Sequence, residues 1–129
     1  MPVTVALEHC PDCPDCPDCE DCEDCEDYAP ELVQRQVDAC LQAAGLRFGR
    51  GERVLLKPNL LKAADLACTH PQVVRAACVH VLEHGARPFV ADSPAFGSGR
   101  RVARAIGLSQ ALQDLDVPVR NMTRPVRCK

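Results

Sequence analysis

The stretch Arg53-Val-Leu-Leu-Lys-Pro-Asn-Leu-Leu61 decides the fold, because it predicts a buried strand that ends in polar residues. Residues 54–56 are a short apolar run of the kind that a buried parallel strand needs. Pro58 cannot donate a hydrogen bond to a sheet, so we expect the strand to end before it. The ammonium of Lys57 and the carboxamide of Asn59 then lie at the carboxyl end of the strand, where open α/β sheets bind their ligands.

Strand-like and helix-like segments alternate on both sides of this stretch. Gly45, Gly85 and Gly107 stand where apolar helical patterns stop, and Pro118 puts the last strand at a sheet edge. The order β-α-β-α-β-α-α-β predicts an α/β domain, with a mainly parallel sheet of about four strands and flanking helices, as in an incomplete Rossmann-like domain. The predicted strands are residues 3–7, 53–56, 88–91 and 117–119, and the predicted helices are residues 30–44, 70–84, 101–106 and 110–115.

Three local features refine these elements. Thr69 is predicted to be the N-cap of the second helix, with Gln72 completing a capping box, and Ser109 is predicted to cap the last helix. His80 and His84 have a four-residue spacing that can hold a metal. The pattern places both at the margin of the apolar face, however, and the helix dipole alone explains His84.

Two further polar clusters belong to the same predicted edge. Asp92-Ser-Pro94 ends the third strand, and Gly97-Ser-Gly-Arg100 leads into a helix. The second cluster can present N–H groups to an anion or can be a turn with an N-cap, and the sequence leaves both open. Lys57 would supply positive charge, Asn59 would hydrogen-bond the ligand, and Asp92 would be a base or a metal ligand. The candidate ligand-binding residues are Lys57, Asn59, His70, Asp92, Ser93 and Ser98.

A tandem array of Cys-Pro-Asp and Cys-Glu-Asp triplets fills residues 10–27. The Cys-x-x-Cys spacing places two sulfurs where one Zn²⁺ or Cu⁺ can bind both, which predicts a soft-metal site. The alternative is an exposed low-complexity loop, since one continuous array without glycine lacks the two separate knuckles of a structural zinc site. The candidate metal ligands are Cys10, Cys13, Cys16, Cys19, Cys22 and Cys25.

The net charge of −3 combines two unlike parts of the chain. Residues 8–27 carry ten Asp or Glu and no Lys or Arg, whereas residues 28–129 carry 15 Lys or Arg against eight Asp or Glu, a net +7. A body this basic suits a small anionic ligand, although ordinary solubilising surface charge also explains it.

Composition argues against several other functions. Aromatic residues make up only 3% of the chain and Trp is absent, so we predict no specific nucleic-acid binding by base stacking. No apolar run has the length of a membrane span, and the N-terminus lacks the pattern of a signal peptide. We therefore expect no membrane contact, a cytoplasmic location and reduced thiols.

Three motifs, in this order, resemble the bacterial and archaeal domain of unknown function 362 family. They are Val54-Leu-Leu-Lys-Pro-Asn-Leu60, Thr69-His-Pro71, and Ala91-Asp-Ser-Pro94 followed by Gly97-Ser98. The resemblance covers residues 1–7 and 28–120 and implies a chain more than twice as long, often described as an iron–sulfur protein. The cysteine array lacks the spacing of a ferredoxin, so we expect any cluster on a missing or partner module. The resemblance implies no particular reaction.

Three hypotheses about function follow. In the first, residues 1–129 form a single domain, truncated relative to its family, with an inserted loop at residues 8–27. In the same hypothesis, this truncated domain is the ligand-binding half of a larger enzyme-like domain and binds a small anionic molecule. The second is a metal- or redox-associated protein that uses the cysteine array, and the third is an inactive truncated product. We expect self-association or a missing C-terminal part to protect the sheet.

We predict that residues 8–27 are dispensable for folding of the remaining chain, because their charge, prolines and repetition leave nothing to bury. Deletion of residues 10–26 is expected to change the free energy of unfolding by less than about 2 kcal/mol, the scale of a lost structural element. Thermal unfolding of the deleted and full-length chains measures this change, and a larger loss would contradict the prediction.

Overall fold

A three-stranded parallel sheet with helices packed against it is the frame of the described chain. The structure is a computed structural model, which describes residues 28–64 and 67–122. The helices are α1 (Pro30–Ala43), α2 (Pro71–Glu83), α3 (Gly99–Ala105) and α4 (Leu108–Ala111), and the strands are β1 (Arg53–Leu56), β2 (Arg87–Asp92) and β3 (Val119–Asn121). The α/β prediction is confirmed, and the predicted first strand, residues 3–7, lies outside the described residues. Among the described helices, none is long and apolar enough to cross a membrane.

The order of the strands determines where the helices lie. β2 is central and pairs in parallel with β1 on one side and β3 on the other. Right-handed connections between strands taken in sequence order bring α2 and the α3–α4 pair to the same face of the sheet. On that face Val90 of β2 packs with Val74 of α2, Val102 of α3 and Leu108 of α4 in one hydrophobic core.

The strands follow the predicted segments closely. β1 covers the predicted residues, and β2 is longer by one residue at each end. β3 begins at Val119, because Pro118 has no N–H for the ladder and contributes only its carbonyl, which accepts the Val90 N–H at 3.0 Å. In the described sheet β3 is an edge strand, as predicted. Arg100 lies along this edge, and its Nε donates to the Val119 carbonyl at 3.0 Å.

The start of α2 differs from the prediction. Its N-cap is His70, whose Nδ1 accepts the Gln72 N–H at 3.2 Å. Thr69 is therefore not the cap, and its hydroxyl accepts the Asn59 N–H at 3.0 Å instead. The physical reason is Pro71, which suits the first helical position and holds the residue before it in an extended conformation.

The last helix also differs from the prediction. Ser109 lies within α4 and does not cap it, because the helix begins directly after Gly107. Gly107 adopts a left-handed conformation with φ of 77°, which lets the chain turn from α3 into α4 without a side-chain cap. α4 then ends at Ala111, before the predicted end at Leu115.

Packing of α1 against α2 buries His80, which the sequence had placed at the margin of the apolar face. Its Nδ1 lies 2.8 Å from Oδ1 of Asp38 on α1, and Gln34 donates to the same oxygen at 3.0 Å. A carboxylate only accepts hydrogen bonds, so His80 donates from Nδ1. His84 is exposed and donates from its own Nδ1 to the His80 carbonyl at 2.7 Å. The prediction that His80 lies at the margin of the apolar face was wrong. Its hydrogen-bond partner lies on another helix, which the pattern of a single helix does not show.

Leu60 and Leu61 provide a matched test of the core. Leu60 is fully buried, whereas Leu61 is 42% exposed. We expect Leu60→Ala to lower the free energy of unfolding by about 2–5 kcal/mol, because it removes buried carbon atoms and leaves a cavity. Leu61→Ala is expected to cost less than about 0.5 kcal/mol. Urea unfolding measures both, and equal losses would be incompatible with the different burial of the two side chains.

Candidate functional site

A lysine and a buried aspartate meet at the carboxyl edge of the sheet. Lys57 follows β1, and its Nζ lies 2.7 Å from Oδ1 of Asp92, the last residue of β2. The Lys57 side chain is 56% exposed, and that of Asp92 is 6% exposed. The pair therefore presents its positive group to solvent and keeps its negative group inside.

Backbone amides also hold the Asp92 carboxylate. The Leu60 N–H donates to Oδ2 at 2.8 Å, and the adjacent backbone amide of Ser93 also favours the ionised carboxylate. Burial raises the pKa of Asp92, but the hydrogen bonds and the charge of Lys57 together outweigh it, so the pKa lies below the ordinary aspartate value. Asp92 is therefore ionised at neutral pH.

The register of the sheet explains why these groups meet. Leu56 pairs with Val90, so the chain after β1 leaves the sheet beside the last residues of β2. Pro58 ends the ladder, and Leu60 then lies in the core with its N–H directed at Asp92. The contact joins residues that are 32 positions apart in the sequence.

Two of the predicted ligand-binding residues stabilise the neighbouring loop and helix start. Asn59 donates from Nδ2 to the Ala67 carbonyl at 3.0 Å. His70 caps α2, and its ring stacks on Tyr28 with centroids 3.8 Å apart and an interplanar angle of 13°. Within residues 28–64 and 67–122, neither side chain makes a hydrogen bond or ion pair with the Lys57–Asp92 pair.

The two predicted serines lie at opposite ends of the loop between β2 and α3. Ser93 is exposed and directly follows Asp92. Ser98 is the N-cap of α3, and its Oγ accepts the Arg101 N–H at 3.3 Å. The sequence had left open whether this cluster caps a helix or binds an anion. In the structure Ser98 caps the helix.

Asn121 is a residue of this edge that the sequence analysis missed. Its Oδ1 accepts the Arg100 N–H at 3.0 Å, at the first turn of α3. A Cβ on Gly99 would lie only 3.0 Å from the Asp92 carbonyl, so α3 approaches the ends of β2 and β3 as closely as glycine allows. One sequence signal was present, since Asn121 follows a strand-like segment as Asn59 does.

The proposed metal ligands Cys10 to Cys25 lie outside the described residues. In the part of the chain that the structure describes, no group of three or more His, Cys, Asp or Glu side chains could hold a metal ion. Burial raises the pKa of Cys78 to about 12, and nearby Arg75 offsets only part of this effect. Cys78 is therefore a protonated thiol of the hydrophobic core.

Lys57 is the group of this edge best suited to meet a ligand. Its ammonium has three N–H donors, of which Asp92 engages one. Asp92 is buried, both of its oxygens are engaged, and its lowered pKa makes it a weak base. The geometry therefore favours Asp92 as the residue that orients Lys57.

Comparison with known proteins defines the family. The family described as Domain of unknown function (DUF362) matches residues 54–128, more than half of the chain, and the protein belongs to that family. The thylakoid-associated protein sll1697 of Synechocystis sp. is 50% identical over 72 residues. This match covers 54% of the chain and 22% of the relative, so the chain spans about a fifth of that protein's length. No solved structure matches the chain.

We predict that Asp92→Asn lowers the free energy of unfolding by about 1–3 kcal/mol at neutral pH, because Lys57 loses its charged partner. The size of the loss depends on pH. The folded-state pKa of Asp92 is lowered, so its ionised form stabilises the fold above the unfolded-state pKa, and this stabilisation fades as pH falls below about 4. The difference in free energy of unfolding between wild type and Asp92→Asn is therefore constant above about pH 5 and becomes smaller towards about pH 3.

Asp116→Asn is the matched control for this prediction. Asp116 is exposed, and asparagine tolerates its φ of 51°. We expect this variant to differ from wild type by less than about 0.5 kcal/mol. Denaturant titrations at several pH values measure all three proteins. If the difference between wild type and Asp92→Asn widened in acid, the pKa of Asp92 would be raised and the prediction would be wrong.

Proposed function

We propose that the carboxyl edge of the sheet binds a small anionic ligand, a phosphate or a carboxylate, with Lys57 as its main charged contact. The observation that carries the proposal is a lysine whose side chain is 56% exposed and whose ammonium is held in place by a buried carboxylate. A side chain ordered before binding loses less conformational entropy when the ligand arrives. In this proposal the chain is the ligand-binding part of a larger enzyme-like domain.

The charge around the edge supports an anionic ligand. Residues 28–129 carry a net charge of +7, so the body that bears this edge is basic. A positive surface raises the local concentration of anions and speeds their association. In this proposal the polar residues Asn59, His70, Ser93 and Ser98 border the site and do not supply its charge.

The family description names no ligand, so the proposal depends on the charged pair and on its place in the fold. Open α/β sheets bind ligands outside the carboxyl ends of their strands, which is where Lys57 lies. The relative is much longer than the matched region, and in that protein further residues are available to complete such a site.

We predict that Lys57→Met weakens the binding of inorganic phosphate about tenfold, which corresponds to about 1.4 kcal/mol and to one charge-assisted hydrogen bond. The measurement is the rise in melting temperature that phosphate causes in each protein, taken from that protein's own baseline. The baseline of Lys57→Met is itself expected to be lower than that of wild type, because Asp92 loses its partner.

Two further variants make this measurement decisive. Lys62→Met removes the same charge from an exposed loop position and should leave the phosphate effect unchanged. Lys57→Arg keeps the charge and the Asp92 contact and should retain most of the effect. Equal phosphate-induced shifts in wild type, Lys57→Met and Lys62→Met would refute a role for Lys57 and with it the proposed site.

A further inference from the structure

The face of the sheet opposite the helices carries an apolar pair among arginines. Leu55 pairs in register with Phe89, and Arg53 pairs with Arg87. Arg120 pairs with Ala91, two residues beyond Phe89, so its side chain belongs to the same face. Leu55 is 43% exposed. This surface is termed the arginine face and consists of Arg53, Leu55, Arg87, Phe89 and Arg120.

Phe89 lies at the centre of the arginine face. The guanidinium carbon of Arg53 is 5.2 Å from its ring centroid, and that of Arg120 is 5.4 Å away. These are cation–π distances, so the two arginines lie beside the ring with their charges near the apolar surface. A groove of about 430 Å³ passes along Arg53, Arg87, Phe89 and Arg120.

The helices of the described chain leave this face uncovered. Right-handed connections place α2, α3 and α4 on the face of Val90, and α1 packs against α2. Residues on the opposite face alternate with Val90 along the strand. Parallel sheets are ordinarily covered on both faces. A face that carries a leucine that is 43% exposed beside a partly buried phenylalanine is therefore a surface that requires an occupant.

The charge of this face indicates the nature of its occupant. Within residues 28–64 and 67–122, no carboxylate lies within 4.0 Å of a guanidinium nitrogen of Arg53, Arg87 or Arg120. Asp116 is the carboxylate that lines the same groove, so three positive charges face one negative charge there. A segment rich in carboxylates complements this surface, whereas a second copy would bring like charges together in a symmetric dimer.

We propose that residues 8–27 of the same chain dock on the arginine face. This segment carries ten Asp or Glu, no Lys or Arg, and cysteine and proline side chains that can contact Leu55 and Phe89. It is followed directly by Tyr28, whose ring stacks on His70 of the body. Twenty residues reach roughly 66 Å when extended, whereas a domain of 100 residues has a radius of gyration of only about 13 Å. Because exposed ion pairs contribute little stability, this docking is compatible with a folded body after deletion of the segment.

The native cysteines of residues 8–27 allow a direct test in the full-length chain. Leu55→Cys puts a thiol on the arginine face, and Gln110→Cys puts one on the exposed surface of α4 as the matched control. Both proteins are treated with oxidised glutathione in buffer with a chelator, and disulfides are mapped by mass spectrometry after trypsin digestion. Residues 1–35 form one tryptic peptide whose cysteines all belong to the array, so a link to it identifies the docked segment.

We expect the thiol of Leu55→Cys to form a disulfide with the array at least tenfold faster than that of Gln110→Cys, at a rate independent of protein concentration. The preference should fall in about 1 M salt, where charges are screened beyond about 3 Å. Adding Arg87→Glu should lower the rate, whereas adding Arg104→Glu, at an exposed position of α3 outside the groove, should not. Equal rates for the two thiols would overturn the proposal. Links that form only between chains, at rates that rise with concentration, would assign the face to a second copy and would also overturn it. Neither result bears on the phosphate measurements with Lys57 variants.

Discussion

The buried carboxylate of Asp92 is the interaction on which the carboxyl edge of the sheet depends. A charge inside a protein is costly unless it is paired and hydrogen-bonded. Lys57 and the Leu60 amide meet this requirement, and in doing so they hold the end of β1, the end of β2 and the loop after β1 together. The same pairing keeps the Lys57 ammonium in a defined position at the surface. One pair of residues thus stabilises the edge and also positions the group that we propose binds a ligand.

The strand order separates the described molecule into surfaces of different chemistry. Because the strands follow one another in sequence and the connections are right-handed, the helices gather on one face and build the core there. The opposite face retains Phe89 between Arg53 and Arg120. The carboxyl edge, with its exposed lysine, lies between these two faces. A basic body with an uncovered arginine-rich face and an acidic N-terminal segment thus has complementary parts within one chain.

Features that depend only on residues adjacent in the sequence were predictable from the sequence. The apolar run of β1, the glycines after the helices and Pro71 in a first helical turn have local physical causes, and these elements agree with the structure. The choice between two residues that can both cap a helix was not predictable in this way. Thr69 and His70 each offer an acceptor, and Asn59, from another loop, engages the threonine. The burial of His80 likewise depends on Asp38, which lies on a different helix.

The sequence by itself determined the α/β class, the places where strands stop, and the set of polar residues near those stops, because backbone sterics and hydrophobic periodicity act over a few residues. The DUF362 motifs were also readable from it. Only the tertiary structure decided which of these residues meet. It joined Lys57 and Leu60 to Asp92, gave Ser98 and His70 capping roles, and left the arginine face uncovered within the described residues. Those outcomes follow from strand register and helix packing, which bring together groups far apart in the chain and have no local signature.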